Sequence, residues 1–107
     1  MRFRVFELYG FRRRLKKLLS LSELARYERF KKKLKQGTIS GKPLSVCFFR
    51  EQKIGGKRIY FLLYADIRIV LFVASSDKKE QQQTINEIKE DFERFRKIAV
   101  YLSKKKK

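Results

Sequence analysis

Alternating apolar and polar positions mark the first element of the chain. In MRFRVFELYG, Phe3 and Val5 lie on one side of an extended backbone and arginines lie on the other, which predicts a β-strand ending at Gly10. From residue 11 to residue 36 the apolar positions recur every three or four residues, which is the helical period. This part of the chain is therefore predicted to be a strand followed by helices.

The helical stretch is predicted to be a hairpin of two helices. Phe11 and Leu15 start an apolar face for the first helix, and Ser20 with Glu23 forms a capping-box pattern that would start the second. Gly37 stands where the second helix is expected to stop, because glycine readily adopts the backbone conformation that ends helices.

The exposed faces of this hairpin are predicted to be strongly basic. Two acids, Glu23 and Glu28, stand against eleven cations. The cations are Arg12, Arg13, Arg14, Lys16, Lys17, Arg26, Arg29, Lys31, Lys32, Lys33 and Lys35. A solvated surface is the ordinary explanation for charge on one helix, but this excess on a hairpin favours a surface that faces phosphates.

Three strands are predicted to follow, at residues 46–54, 57–64 and 67–75. Gly55 and Gly56 supply a tight turn after the first of them, and the segment TISGKPLS before them is predicted to be a loop. Consecutive strands with short turns favour an antiparallel meander, and the N-terminal strand would complete a four-stranded sheet.

The helical period returns from Glu80. Apolar residues recur there at spacings of three and four, at Ile85, Ile88, Phe92, Phe95, Ala99 and Leu102. This stripe spans fewer than three heptads, which favours one amphipathic helix docked on the sheet over a coiled-coil dimer. Residues 104–107 are all lysine and are predicted to be a disordered tail. The predicted fold is therefore α+β, with one domain at residues 1–103.

The charge of the chain indicates what this fold would bind. Its 107 residues include 29 Lys and Arg against 11 Asp and Glu, a formal net charge of +18, while 43% of residues are apolar. The apolar content indicates a folded domain, and the charge favours a polyanionic partner, with nucleic acid first and an anionic membrane surface or an acidic protein next. The single cysteine, Cys47, cannot form an internal disulfide, which fits a reducing cytoplasm. No apolar run is long enough to cross a bilayer, and no signal-peptide pattern is present.

The residue types make most catalytic chemistries improbable. The chain has no His, and neither its cysteine nor its carboxylates show a metal-ligand spacing, so no metal or other cofactor is expected. Serine or cysteine catalysis would need a base of the usual type, and the glycine pair lacks the context of a nucleotide-binding loop. Arg, Lys, Tyr and Glu can still cleave RNA, because its 2′-hydroxyl attacks the adjacent phosphate when a base takes the proton and cations stabilise the phosphorane.

Several segments, taken in order, resemble the RelE/ParE toxin superfamily of toxin-antitoxin systems. After the first strand and the basic hairpin come GKPLS at 41–45, which is similar to the family's Gly-x-Pro-Leu linker, and FFRE at 48–51. GGKRIYFLLY at 55–64 is similar to its Gly-x-Arg-Ile-x-Tyr strand, and FVASSDKKEQQ at 72–82 to its last strand with a Lys-Lys or Lys-Arg end. The resemblance covers most of the chain.

The resemblance implies a cytoplasmic toxin that cuts mRNA in the ribosomal A site and is silenced by a cognate, acidic antitoxin. It implies that Arg58 binds the scissile phosphate, that Arg50 stabilises the transition state with it, and that Lys78 and Lys79 bind phosphate or move protons. Ribosomal RNA and mRNA would be held by further basic residues, namely Arg12, Arg13, Lys16, Lys17, Arg29, Lys32, Lys53 and Arg68. Of these, Arg68 is also expected to be an exposed residue at the end of a turn.

One position departs from the family's pattern. Its RNases often place a tyrosine or histidine a few residues beyond the last strand, and this chain has Ile85 there. Tyr60 and Tyr64 are the nearest substitutes, although Tyr60 is equally expected as a packed strand residue, and Glu51 is either a base or an ion-pair partner of Arg50. A gyrase-poisoning toxin of the same superfamily and a non-catalytic RNA- or ribosome-binding member therefore remain alternatives.

Strand register decides which of these residues meet. If the glycine turn contains an even number of residues, Lys53 pairs with Arg58, and Glu51 shares their face. With an odd number, Arg50 lies on that face instead. The sequence leaves both arrangements open.

Overall fold

A computed structural model describes residues 2–105, and in that range it contains five strands and four helices. In chain order the elements are β1 (Arg4–Glu7), α1 (Phe11–Leu18), α2 (Leu21–Lys35), β2 (Lys42–Leu44), β3 (Val46–Ile54), β4 (Lys57–Tyr64), β5 (Ile69–Asp77), α3 (Gln81–Glu90) and α4 (Phe92–Ser103). The α+β class predicted from the sequence is confirmed.

The strands form one mixed sheet in the order β1-β5-β4-β3-β2. β3, β4 and β5 make the predicted antiparallel meander, and β1 lies parallel to β5. The prediction of four strands is wrong by one, because residues 42–44 of the predicted loop pair with β3. So short a strand shows no alternation, and Pro43 fits it only because an edge strand can lack a backbone N–H.

Helices cover both faces of the sheet. Along β4, Ile59 and Phe61 belong to the core that the hairpin of α1 and α2 covers. Tyr60 and Leu62 belong to a second core on the other face, beneath α3 and α4. This burial on both faces explains why β4 is apolar along most of its length. Two residues that are adjacent in a strand therefore lie in different cores, which limits the basic residues that can act together.

The hairpin forms as predicted. Ser20 Oγ accepts a hydrogen bond from the Glu23 N–H at 3.2 Å, and Glu23 Oε1 accepts one from the Ser20 N–H at 2.9 Å. These two bonds are the predicted capping box, which satisfies backbone donors at the start of α2. Phe11 and Leu15 of α1 are fully buried, so the predicted apolar face is the one that packs on the sheet.

The predicted C-terminal helix is two helices rather than one. α3 ends before Asp91, which has φ −105° and ψ 10°, and α4 starts at Phe92. The ring of Phe92 packs against Phe48 and Phe49 of β3, with centroids 5.0 and 5.3 Å apart. Aspartate is a weak helix former, and a break at this position lets the helical stretch follow the twisted sheet while Phe92 keeps these contacts.

The predicted lysine tail is described only in part. The backbone N–H groups of Lys104 and Lys105 donate to the carbonyls of Tyr101 and Leu102 at 3.2 Å, so these lysines continue α4 in a turn. Residues 106 and 107 lie outside the described range. The single-domain boundary at residue 103 stays a prediction.

Candidate functional site

The glycine turn has the even length, and it brings four predicted site residues to one face of the sheet. Lys53 lies opposite Arg58, and Glu51 lies opposite Tyr60. Ser76 of β5 lies opposite Arg58 on its other side. Because directly opposed residues point to the same face, Arg58, Glu51, Tyr60 and Ser76 form one cluster beneath the start of α3.

Arg58 and Glu51 form a buried ion pair. Arg58 is 8% exposed and Glu51 is 3% exposed, and 3.6 Å separates Arg58 Nε from Glu51 Oε1. Within residues 2–105 the Nε atom of Arg58 has no hydrogen-bond partner. Glu51 therefore pairs with Arg58. The ion-pair alternative drawn from the sequence names Arg50 as the partner instead.

The first turn of α3 lies over this pair. Gln81 donates a hydrogen bond from Nε2 to Glu51 Oε1 at 2.8 Å, and the Glu80 N–H donates to Asp77 Oδ1 at 3.0 Å. Ile85 stands where the family's RNases often have an aromatic or histidine residue, and it is buried in the core beneath α3. The helix thus anchors itself on the sheet and covers the guanidinium that the resemblance assigns to the scissile phosphate.

Tyr60 extends the cluster toward the end of β5. Its hydroxyl lies 2.9 Å from Ser76 Oγ in a buried hydrogen bond. Burial raises the pKa of Tyr60, the negative charge of Glu51 adds to the effect, and the hydrogen bond with Ser76 opposes it. Tyr60 is therefore neutral at pH 7, where it can donate a proton but cannot act as a base.

Arg50 does not join this cluster. It lies opposite Phe61 and so points to the hairpin face, while Arg58 points to the α3 face. Its Nη1 donates to the carbonyl of Gly41 at 3.1 Å, which ties β3 to the segment before β2. Because the side chains of a strand alternate between its two faces, Arg50 and Arg58 lie on opposite faces, and the role that the resemblance implies for Arg50 stays a prediction.

Three exposed lysines border the cluster. Lys53 lies at the end of β3, beside Arg58, and Lys78 and Lys79 lie in the turn between β5 and α3. In contrast, Arg68 lies at the other end of β5, exposed in the turn after β4 with φ 55°. This exposed position in a turn agrees with the expectation from the sequence. Arg68 nevertheless lies at the other end of β5 from the cluster.

The hairpin's cations are not equivalent. Arg12 donates to Glu7 at 2.6 Å and to Glu28 at 2.7 Å, and Lys31 lies 3.2 Å from each of the same carboxylates. Arg12 therefore joins the hairpin to β1 and is poorly placed for its predicted RNA contact. The other hairpin cations of the predicted RNA-binding set are exposed and without ion pairs in the described range, namely Arg13, Lys16, Lys17, Arg29 and Lys32.

Sequence reasoning missed Ser76 and Gln81. Ser76 is buried opposite Arg58, and Gln81 holds Glu51. Ser76 could have been found from the pairing of β4 with β5, had the length of the turn between them been known. Gln81 has no comparable signal, because three glutamines stand in a row and only the docking of α3 selects the first.

The described residues also bear on membranes and metals. In residues 2–105 no helix combines the length and the apolar character needed to cross a bilayer. Across the same residues no three His, Cys, Asp or Glu side chains come together in a group able to hold a metal ion.

Comparisons with known proteins bear on the fold. No family model matches the chain, and no curated protein matches it. Among solved structures, the chain is similar to a chain of the RelBE2 toxin-antitoxin complex from Mycobacterium tuberculosis, with a TM-score of 0.55 and 16% identity. The match covers 73% of this chain and 100% of that chain. The fold is therefore RelE-like, which confirms the fold that the sequence motifs implied.

Proposed function

We propose that the protein is the toxin of a toxin-antitoxin pair and that it cleaves mRNA on the ribosome without a metal ion. The observation that carries this proposal is the cluster of Arg58, Glu51, Tyr60 and Ser76 at one end of the sheet, bordered by three exposed lysines. The similarity to a chain of a toxin-antitoxin complex supports the toxin part of the proposal.

The cluster supplies the groups that metal-independent RNA cleavage needs. Glu51 takes the proton of the 2′-hydroxyl as its oxygen attacks the phosphorus, and Arg58 holds the negative charge that develops on the phosphoryl oxygens. The P–O5′ bond then breaks, and Tyr60, which is neutral at pH 7, gives its proton to the leaving oxygen. Lys78 and Lys79 are exposed beside the cluster and hold the flanking phosphates.

This mechanism requires the first turn of α3 to move. Arg58 is 8% exposed, and Gln81 occupies the Glu51 oxygen nearest to it. Glu51 can accept the proton of the 2′-hydroxyl at this oxygen only after its hydrogen bond with Gln81 breaks. Ribosome-bound mRNA would supply the binding energy for that movement through the exposed cations.

The same burial favours a second candidate function, a non-catalytic RNA- or ribosome-binding protein of the same fold. In that case the Arg58–Glu51 pair is structural and anchors α3 on the sheet. The exposed cations of the hairpin would then bind RNA without cleavage.

We further propose an acidic antitoxin as the protein partner. The net charge of +18 gives such a partner strong electrostatic attraction. The similar solved structure is itself a toxin-antitoxin complex. Because nucleic acid and antitoxin would compete for one basic surface, binding of the antitoxin would silence the toxin.

Cell-free translation with programmed ribosomes tests the enzymatic proposal. Wild type, Arg58→Ala and the control Arg68→Ala are compared, and mRNA ends are mapped by primer extension. Each variant loses one arginine, but Arg68 lies exposed at the other end of β5. Cuts in the A-site codon that persist in Arg68→Ala and vanish in Arg58→Ala support the nuclease. Intact mRNA with ribosome-bound protein contradicts it and supports the non-catalytic candidate. Circular dichroism of Arg58→Ala separates lost chemistry from lost folding.

A further inference from the structure

We propose that a cleft between α1 and the uncovered edge of β5 binds a phosphodiester of single-stranded RNA through Arg14 and Lys17. This inference rests on the proposed function for the identity of the RNA, and it adds a substrate path that the sequence motifs do not contain. The RNA-binding residues that the family resemblance implies include Lys17 as one of several hairpin cations, and they do not include Arg14.

The cleft exists because β1 is shorter than its neighbour. β1 ends with Glu7 opposite Phe72, and the last backbone bond joins the Leu8 N–H to the Phe72 carbonyl at 2.8 Å. β5 continues to Asp77, so its last five residues have no strand on that side. Two cavities of about 230 and 200 Å³ lie along this edge, and Arg14 lines both.

The larger of these cavities has the composition of a phosphate site. Its lining includes Arg14 and Lys17 of α1 and the serines at 75 and 76 of β5. Arg14 and Lys17 are three residues apart on one helix and therefore project from the same side. Two cations together with the Ser75 hydroxyl can hold several oxygens of one phosphate. The single acid of the lining, Glu80, is outnumbered by these cations and by the two lysines that precede it.

The two cations are available for a ligand. In residues 2–105 neither Arg14 nor Lys17 takes part in an ion pair or a side-chain hydrogen bond, whereas Arg12 is held by two carboxylates. Arg14 is also positioned by the backbone. A Cβ atom at Gly10 would lie 3.0 Å from Arg14 Nη1, so the guanidinium packs against this glycine beside the β5 edge.

Ser76 links the cleft to the candidate site. It lines the cavity, bonds to the Tyr60 hydroxyl and lies opposite Arg58. The first turn of α3 lies over the Arg58–Glu51 pair through Gln81, whereas the cleft lies between α1 and the end of β5. A strand whose phosphate rests between Arg14 and Lys17 therefore has its next phosphate close to the cluster.

An exposed aromatic residue fits the same path. Tyr9 is 99% exposed and directly precedes Gly10, against which Arg14 packs. A base that leaves the cleft on this side can stack on the ring, since base stacking on exposed aromatic side chains is a general mode of single-strand binding. This arrangement favours single strands over duplexes, whose bases are already stacked.

Binding of an oligoribonucleotide with 2′-O-methyl groups tests the cleft, because such RNA lacks the attacking hydroxyl and cannot be cut. The variant Arg14→Gln/Lys17→Gln is compared with Arg26→Gln/Lys33→Gln by fluorescence anisotropy over a range of salt. Each variant loses two exposed cations from one face of one helix, and Arg26 and Lys33 are outside the predicted RNA-binding set. We expect the cleft variant to lose affinity at least about tenfold and to reduce the slope of log K against log salt by about 0.7, as one lost phosphate contact with a single strand predicts. The control should lose clearly less.

A second measurement locates the ligand. In two-dimensional NMR spectra, amide signals of residues 73–77 should shift in wild type when the oligonucleotide is added, and should shift little in the cleft variant. Equal loss of affinity in the two variants, or unshifted signals of the β5 edge, overturns the proposal. Because the RNA cannot be cleaved, binding in the cleft together with a negative translation assay would retain the cleft and reject the nuclease.

Discussion

The carboxylate of Glu7 joins β1 to both helices of the hairpin. It accepts hydrogen bonds from Arg12 and from the Tyr27 hydroxyl at 2.6 Å, and from Lys31 at 3.2 Å. Partial burial raises the pKa of Glu7, but the hydrogen bonds from Arg12, Tyr27 and Lys31 outweigh it and hold the pKa below its usual value. Glu7 and Glu28 thus pair with two hairpin cations, Arg12 and Lys31, which a count of charges along the sequence cannot reveal.

Replacing Glu7 with Gln should destabilise the protein by about 1–3 kcal/mol at pH 7, because it removes the partly buried carboxylate that bonds Arg12, Tyr27 and Lys31 and leaves the two cations only Glu28. A lowered folded-state pKa contributes stability that is present above the unfolded pKa of about 4.3 and is lost as pH falls through the folded value. Thermal melting between pH 7 and pH 3 should therefore show an acid loss in wild type that is weaker in Glu7→Gln. The matched control is Glu93→Gln, whose side chain is 88% exposed. Equal melting temperatures of the two variants at pH 7 would contradict the assigned role of Glu7.

At the scale of elements, the position of α3 determines how accessible the Arg58 side chain is to a ligand. The helix packs on the sheet through Ile85 and Ile88, and its first turn places Gln81 on Glu51. The apolar stripe predicts that this helix docks on the sheet, but a stripe does not specify where along the sheet the first turn rests. The cover over Arg58 is therefore a property of the docked helix.

Gln81→Ala should expose Arg58. Without the hydrogen bond to Glu51 the first turn of α3 is held less firmly, and the guanidinium becomes more accessible to phenylglyoxal, which modifies arginine. Mass spectrometry of the peptide that contains Arg58 should show several-fold faster modification than in wild type. Gln82→Ala is the control, because Gln82 is exposed and its side chain donates a hydrogen bond to Asn86 in the same helix. Equal rates in both variants would mean that Gln81 does not hold the cover.

The sequence predicts the elements better than their contacts. The hairpin, its capping box and the meander follow from period and local chemistry, whereas β2 and the break at Asp91 depend on tertiary pairing. The site shows the same division. A sequence motif predicts Arg58 as a site residue. The face on which Arg50 lies follows instead from the turn length, and the burial of Arg58 follows from the docking of α3.

At the scale of the whole molecule, charge repulsion opposes folding. The 29 basic residues exceed the 11 acidic ones, and several acids are already used in ion pairs within the hairpin and between it and the sheet. Net charge this far from zero destabilises the compact state, because it brings like charges together. A polyanionic partner that binds the basic surface of the protein would therefore also stabilise the fold.

Raising sodium chloride from about 0.05 M to about 0.5 M should raise the melting temperature, because the screening length shortens well below the spacing of most surface charges. Differential scanning fluorimetry at fixed pH measures this effect. Sodium phosphate at equal ionic strength separates screening from binding, since an anion bound to the folded state adds stabilisation beyond screening. A melting temperature that falls with salt would show that attractive ion pairs outweigh the repulsion.

The pairing of β1 with β5 has a consequence for the order of events during synthesis. β1 leaves the ribosome before the other strands, but its partner in the sheet is the last strand to be made. Contacts between distant parts of a chain form late, so the sheet cannot close until β5 has emerged. A nascent chain that stops before β5 lacks Ser76, the edge that forms the cleft and the strand that supports both cores. Incomplete translation would therefore yield fragments without the proposed activity, which only the finished chain could carry.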